Sequence, residues 1–164
     1  MAAAPRKPAG GVRAVRLHAA ADIVRLDWSG GRCTGIVLRP GARAVDLPLL
    51  ECRSRYTEEV AAGEGPAAVH HTLTLVLSRW QGRGLFTFEY LQRMAADGVV
   101  ALITAEDGER MVAGWTERSA DEQPLQLERL TFDTGCRPTD APTAEMVLAC
   151  DDATPAAEYV PKSE

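Results

Sequence analysis

Apolar residues recur along this chain mostly at every second position, and glycine, proline or Asp-Gly breaks the pattern at short intervals. That rhythm predicts short half-buried strands joined by turns. Val12 to Leu17 reads as a first strand. In 22–28, Val24, Leu26 and Trp28 share one face and Ile23, Arg25 and Asp27 the other. Ser29-Gly30-Gly31 turns the chain, and Cys33 to Leu38 returns. Beyond Pro40-Gly41, Val45, Leu47 and Leu49 keep the period of two, while Pro48 marks an edge strand or a bulge. Tyr56 to Val60 and Val69 to Ser78, separated by Ala61-Ala62-Gly63-Glu64-Gly65-Pro66, predict a long hairpin. Its second strand places Val69, His71, Leu73, Leu75 and Leu77 on one face, with His70, Thr72 and Thr74 on the other.

One helix is predicted over about 85–96, where Leu85, Phe88, Leu91 and Ala95 recur at helical spacing beside Met94, with Gly98 just beyond. Strand formers resume at Val99 to Ile103. Asp107-Gly108 predicts a tight turn with positive φ at both central residues, and Arg110 to Trp115 returns with Met111, Ala113 and Trp115 on one face. After a polar loop at 116–123, the apolar parity of Leu125 to Thr134 switches between Leu127 and Leu130. A β-bulge near Glu128-Arg129 accounts for the switch. Met146, Leu148 and Cys150 line a last strand. The expected fold is mainly β, a sandwich or barrel of eight to ten short strands with one helix against a side or end. It forms a single domain over 12–150, between a disordered leader at 1–11 and a flexible acidic tail at 151–164.

At 164 residues the chain is long enough for one core, and with only 5% aromatics that core rests on aliphatic side chains. A net charge of −5 argues against general affinity for nucleic acid phosphates or an anionic membrane. Charge is unevenly placed: Arg6, Lys7, Arg13 and Arg16 make a basic start, and Asp140, Glu145, Asp151, Asp152, Glu158 and Glu164 an acidic end. In a chain that stacks on copies of itself, such ends would steer assembly. Met1 to Gly11 lacks the apolar stretch of a signal peptide, and no segment reads as a transmembrane span. Cys33, Cys52, Cys136 and Cys150 are therefore expected as reduced, small apolar residues in or near strands.

Catalytic and metal-binding patterns are weak. His70-His71 point to opposite faces of a strand and cannot easily share a metal; His71 is expected in the core and His70 beside the threonines. The cysteines form no C-x-x-C pair, and Cys136 has no base nearby in sequence. Asp151-Asp152 with Asp140 lack the surrounding loop of a calcium site, and Glu58-Glu59 and Glu106-Asp107 read as turn or surface carboxylates. No glycine cluster has a phosphate-binding arrangement, and Ser29 lacks the G-x-S-x-G elbow. Trp28, Trp80 and Trp115 are expected as core anchors. No cofactor is expected.

Residues 52–159 carry a further pattern: Tyr56-Thr57-Glu58-Glu59 before a glycine-containing loop, the strand HHTLTLVLSR, a short helix ahead of Asp97-Gly98-Val99-Val100-Ala101-Leu102-Ile103-Thr104, the hairpin EDGERMVAGW, Pro124-Leu125-Gln126-Leu127, the Thr134-Gly135 turn with Pro138 and Asp140, and Tyr159. In these features the chain resembles small tail or neck virion-structural proteins of tailed phages and prophages of gut Bacteroidota. The resemblance implies a non-enzymatic ring-forming component, located in a virion or in the host cytoplasm during assembly. Its implied partners are copies of itself and other virion proteins. No sequence-specific nucleic acid binding and no membrane are implied, although DNA in a lumen suits the acidic balance. The contacts expected from this reading are Tyr56, Glu58, Glu59, Gly63, Glu64, Gly65, Pro66 and His70, with the terminal tails. Two alternatives stand beside it. One is a binding module with a small ligand or peptide in a barrel interior or at a sandwich edge. The other is an enzyme whose cleft joins His70 or His71 to an acid and a nucleophile.

Overall fold

Five consecutive apolar residues, Val99 to Ile103, are all buried, because the strand that carries them has a hydrophobic layer on each side. The computed structural model describes residues 10–63, 65, 68–115, 124–152 and 154–162. In chain order the strands are β1 (Val12–Ala19), β2 (Ile23–Ser29), β3 (Arg32–Leu38), β4 (Val45–Asp46), β5 (Arg55–Ala61) and β6 (Ala68–Ser78). Two helices follow, α1 (Arg79–Leu85) and α2 (Phe88–Asp97). Then come β7 (Val99–Ala105), β8 (Arg110–Ala113), β9 (Gln126–Asp133), β10 (Thr143–Asp152) and β11 (Ala157–Glu158). Leader residues 1–9 and the polar loop at 116–123 lie outside the described residues.

The architecture is the expected β-rich sandwich. A five-stranded sheet in the order β11-β8-β7-β1-β4 faces a four-stranded sheet in the order β5-β6-β10-β9, and β2-β3 form a separate hairpin. Between the two sheets lies the main core, with Val15, Leu17, Leu73, Leu75, Leu77, Val99, Ile103, Met146 and Leu148. On the far side of the five-stranded sheet, Val100, Leu102 and Val112 meet Ile23, Leu26 and Cys33 of the hairpin. β7 is thus apolar on both faces, and its unbroken hydrophobic run follows. Isolated bridges at Leu49–Leu77 and Val99–Leu125 tie the two sheets together, and the chain crosses between them at Pro48.

Several local expectations hold and several shift by a residue. The bulge is present: Val147 pairs with Arg129 and Leu148 with Leu127, leaving Glu128 as the extra residue. A second irregularity, between Ile23 and Arg25, changes the parity of β2, so Ile23 is buried and Val24 is 53% exposed, the reverse of the simple alternation. Gly114 takes φ +96° and redirects the chain after β8, so Met111 and Ala113 meet the main core but Trp115 enters the second. At Asp107-Gly108 only the glycine has positive φ; the turn closes by Gly108 N–H donating to Ala105 O at 3.0 Å. Left-handed glycine here follows the turn instead of filling a pair of mirror-image positions.

The single expected helix is two. Ser78 caps α1, its hydroxyl accepting from Gln81 N–H at 3.2 Å, and Thr87 caps α2 by accepting from Tyr90 N–H at 3.2 Å. Between them Phe86 leaves the helical conformation and is buried. The acidic end also differs from a free tail: Asp151 and Asp152 extend β10, β11 pairs with β8, and Tyr159 bridges to Cys33.

Two substitutions and one titration check this packing. A Cβ on Gly82 would stand 2.5 Å from the Ala144 Cβ, whereas one on Gly84 meets open space. Gly82→Ala is expected to lower the melting temperature, since overpacking costs about 1–3 kcal/mol. Gly84→Ala is expected to leave it unchanged or raise it through the better helix propensity of alanine, about 1 kcal/mol. Thermal melts followed by circular dichroism compare the two. His18 sits opposite Val100 in the β1–β7 ladder, buried, with no hydrogen-bond partner for either ring nitrogen among the described residues. Burial, reinforced by nearby Arg16, pushes its pKa down from 6.5 to about 4. The unfolded chain therefore takes up this proton before the folded one does. Stability from this site is complete well above pH 6.5 and falls as pH drops through 6.5 toward 4, by on the order of 3 kcal/mol. Urea titrations at pH 7 and pH 4.5 are expected to show a smaller loss for His18→Leu than for the parent.

Candidate functional site

β6 has eleven residues and runs the length of the four-stranded sheet, so what lies before it and after it ends up far apart. At about 3.4 Å per residue, the nine steps from His70 to Arg79 span about 30 Å. At one end β5 pairs with β6 from Arg55–Thr74 to Ala61–Ala68 and forms the outer edge of its sheet. At the other end α1 turns across the sheet. The two candidate surfaces are these two ends.

At the β5 end the expected contact residues divide by face. Tyr56 and Glu58 point toward the inner side, where they belong to a hydrogen-bonded cluster. The Tyr56 hydroxyl donates to Glu58 Oε1 at 2.8 Å and lies 2.6 Å from His71 Nδ1. His71 Nε2 lies 3.0 Å from the Thr154 carbonyl oxygen, which only accepts, so this nitrogen carries a proton. Glu58 Oε1 also accepts from Ala156 N–H at 3.0 Å. Burial, aided by Glu58, pushes the Tyr56 pKa above its usual value and keeps the phenol neutral. This cluster ties the segment after β10 to the sheet, with Tyr56 half-buried in it and Glu58 bonded but still exposed. Glu59 and His70 are directly paired on the outer face. His70 Nδ1 is engaged by Asp151, and Glu59 makes no ion pair among the described residues. Val60, 64% exposed, extends past the core at the strand's end. Gly63 and Gly65 have open space around them, and Glu64 and Pro66 lie outside the described residues.

His71 is buried and His70 is exposed, as their parity predicts. A depression of about 440 Å³ at this end is lined by His70, His71, Cys150, Asp151 and Glu128 among others. The sheet separates its groups: Cys150 pairs with His71 on the inner side and Asp151 with His70 on the outer. Burial pushes the Cys150 thiol up to about 12, so it stays protonated near neutrality. Asp140 caps its own loop by accepting from Cys136 and Arg137 N–H, apart from Asp151 and Asp152 in β10. Among the described residues no group of three histidine, cysteine or acidic side chains is placed to hold a metal. Glu58 and Glu59 occupy opposite faces of a strand, not a turn.

The other end was not foreseen from the sequence. Trp80 stands 87% exposed, against the expectation that all three tryptophans anchor cores; Trp115 is buried and Trp28 half-buried. Trp80 lines an open groove of about 700 Å³ with Pro48, Arg79, Arg83, Leu85 and Asp46. Asp46 is already paired with Arg16 at 2.7 Å. Arg79 and Arg83 form no ion pair among the described residues, and the Arg79 Nε is buried without a hydrogen-bond partner. Gly82 holds α1 against Ala144 and thereby turns Trp80 outward. The signal that would have found α1 is Ser78-x-x-Gln81, a capping pattern partly hidden by Gly82 and Gly84.

Tyr56→Phe removes the hydroxyl that joins Glu58 to His71. We expect a loss of about 1–3 kcal/mol in urea denaturation, with faster hydrogen exchange at the Ala156 amide than at amides in β7.

The chain matches no protein-family model, no curated protein and no solved structure.

Proposed function

We propose that this protein is a non-enzymatic structural protein that acts by associating with copies of itself into a ring, as a tail-tube or neck component of a phage-like particle. The observation that carries this reading is the outer edge of β5. Among the described residues this seven-residue strand has no neighbour on its outer side in the sheet order, and near its end it carries an exposed valine. Unpaired strand edges recruit further strands, and soluble proteins usually shield them with charge, bulges or covering loops. Here the charges of β5 are Arg55, Glu58 and Glu59, but its end is an apolar, exposed Val60, and β5 itself carries no bulge against β6.

The outer face of the four-stranded sheet adds support. It presents Thr57, Thr72, Thr74, Thr131 and Thr143 with Arg55, with Glu145 paired to Arg129 and with Asp151 paired to His70, polar groups that suit a wet surface.

The resemblance in residues 52–159 gives the reading its particular form. The experiment is light scattering coupled to size-exclusion chromatography on the parent chain and on a variant lacking residues 61–66. The parent is expected to form discrete multimers, and the deletion variant to remain folded by circular dichroism while its assembly weakens. Equal assembly by the two would remove the hairpin end from the mechanism.

A further inference from the structure

We infer that the α1 groove is the receptor for the β5 end of a second copy of this chain, so that subunits join head to tail. This inference rests on the self-assembly reading above and specifies its contact.

Three observations converge on it. The first is chemistry that is missing a partner. Trp80 exposes most of an indole, and Arg79 and Arg83 place along the same groove two guanidinium groups with no ion pair among the described residues. An aromatic and arginine pair flanking an apolar floor is the composition of an interface centre, not of a solvated surface. In a chain of net charge −5, this local cationic site favours an acidic occupant.

The second is a matching surface on the same molecule. Near its end β5 carries Glu59, whose carboxylate has no ion-pair partner among the described residues, next to the exposed Val60. A carboxylate for Arg79 or Arg83 and an isopropyl group for Trp80 are the two things the groove lacks. Strand residues 59 and 60 project to opposite faces, so a groove that grips the strand end meets both.

The third is distance. The two surfaces sit at opposite ends of β6, about 30 Å apart, and no flexing of one chain brings them together. One copy's β5 end can reach only another copy's groove. Such a contact joins different patches on the two subunits. It closes into a ring when the rotation per subunit divides a full turn and otherwise gives a filament.

Complementary variants test this. Glu59→Arg spoils the donor end and leaves the groove intact; Arg83→Glu combined with Trp80→Ala spoils the groove and leaves the donor end intact. All three residues are exposed, and circular dichroism melts confirm that each variant folds. By sedimentation velocity, each variant alone is expected to self-associate at least about tenfold more weakly than the parent. Mixed one to one, they are expected to form a heterodimer and stop there, because only one intact donor and one intact groove remain to meet. If the parent multimerises but the groove variant assembles as well as the parent, or the mixture yields no heterodimer, the groove is not the receptor while self-assembly stands. Another edge or a foreign ligand would then be its occupant. If the parent stays a monomer at every concentration, the self-assembly reading fails and this contact fails with it.

Discussion

Everything in this fold depends on one strand being buried on both faces. Val99, Ala101 and Ile103 supply the main core, while Val100 and Leu102 supply a second beneath the β2-β3 hairpin. Each side chain fully removed from water contributes about 1.5–3 kcal/mol, and β7 concentrates that contribution at the centre of its sheet. β1 and β8 are held by pairing with it, and α2 ends at Gly98 just before it begins. With the interior filled in this way, the contacts proposed above lie at the periphery.

The periphery is organised by a second long element. β6 places Leu73, Leu75 and Leu77 against the main core, and its threonine face looks outward. Its length also keeps two unlike surfaces apart. One is an unpaired strand edge ending in a carboxylate and a valine; the other is a groove built of indole, guanidinium and proline. The tight seat of Gly82 on Ala144 turns the tryptophan away from the core. The Tyr56–His71–Glu58 cluster anchors the C-terminal segment on the same sheet, so a half-buried tyrosine and an exposed glutamate are both engaged in bonds that hold the fold.

Much of the architecture was legible because period-two patterning responds directly to burial. The strands, the hairpin of β5 and β6, the bulge at Glu128 and the separation of His70 from His71 all follow from parity. What was not legible depends on backbone conformations that parity does not encode. Gly114 reorients Trp115, the irregularity after Ile23 exposes Val24, and Phe86 splits one helix into two by turning inward. The candidate site was half legible. Glu59 and His70 are outward as their spacing requires, whereas Glu58 and Tyr56 are engaged by Ala156 and His71, partners distant in sequence. Trp80 was misread because a tryptophan is ordinarily worth burying, and only the close approach of Gly82 to β10 reveals that this one is displayed.

In the proposed assembly the ends of the β6 layer, not its interior, carry the function. Cross-linking from a photoreactive phenylalanine analogue placed at position 80 of the otherwise unmodified chain addresses it most directly, with the joined peptides identified by mass spectrometry. Intermolecular links are expected to the peptide that contains Glu59 and Val60, formed only at concentrations where multimers are present. Links confined to a single chain, or multimers whose position 80 reacts only with solvent, would contradict it.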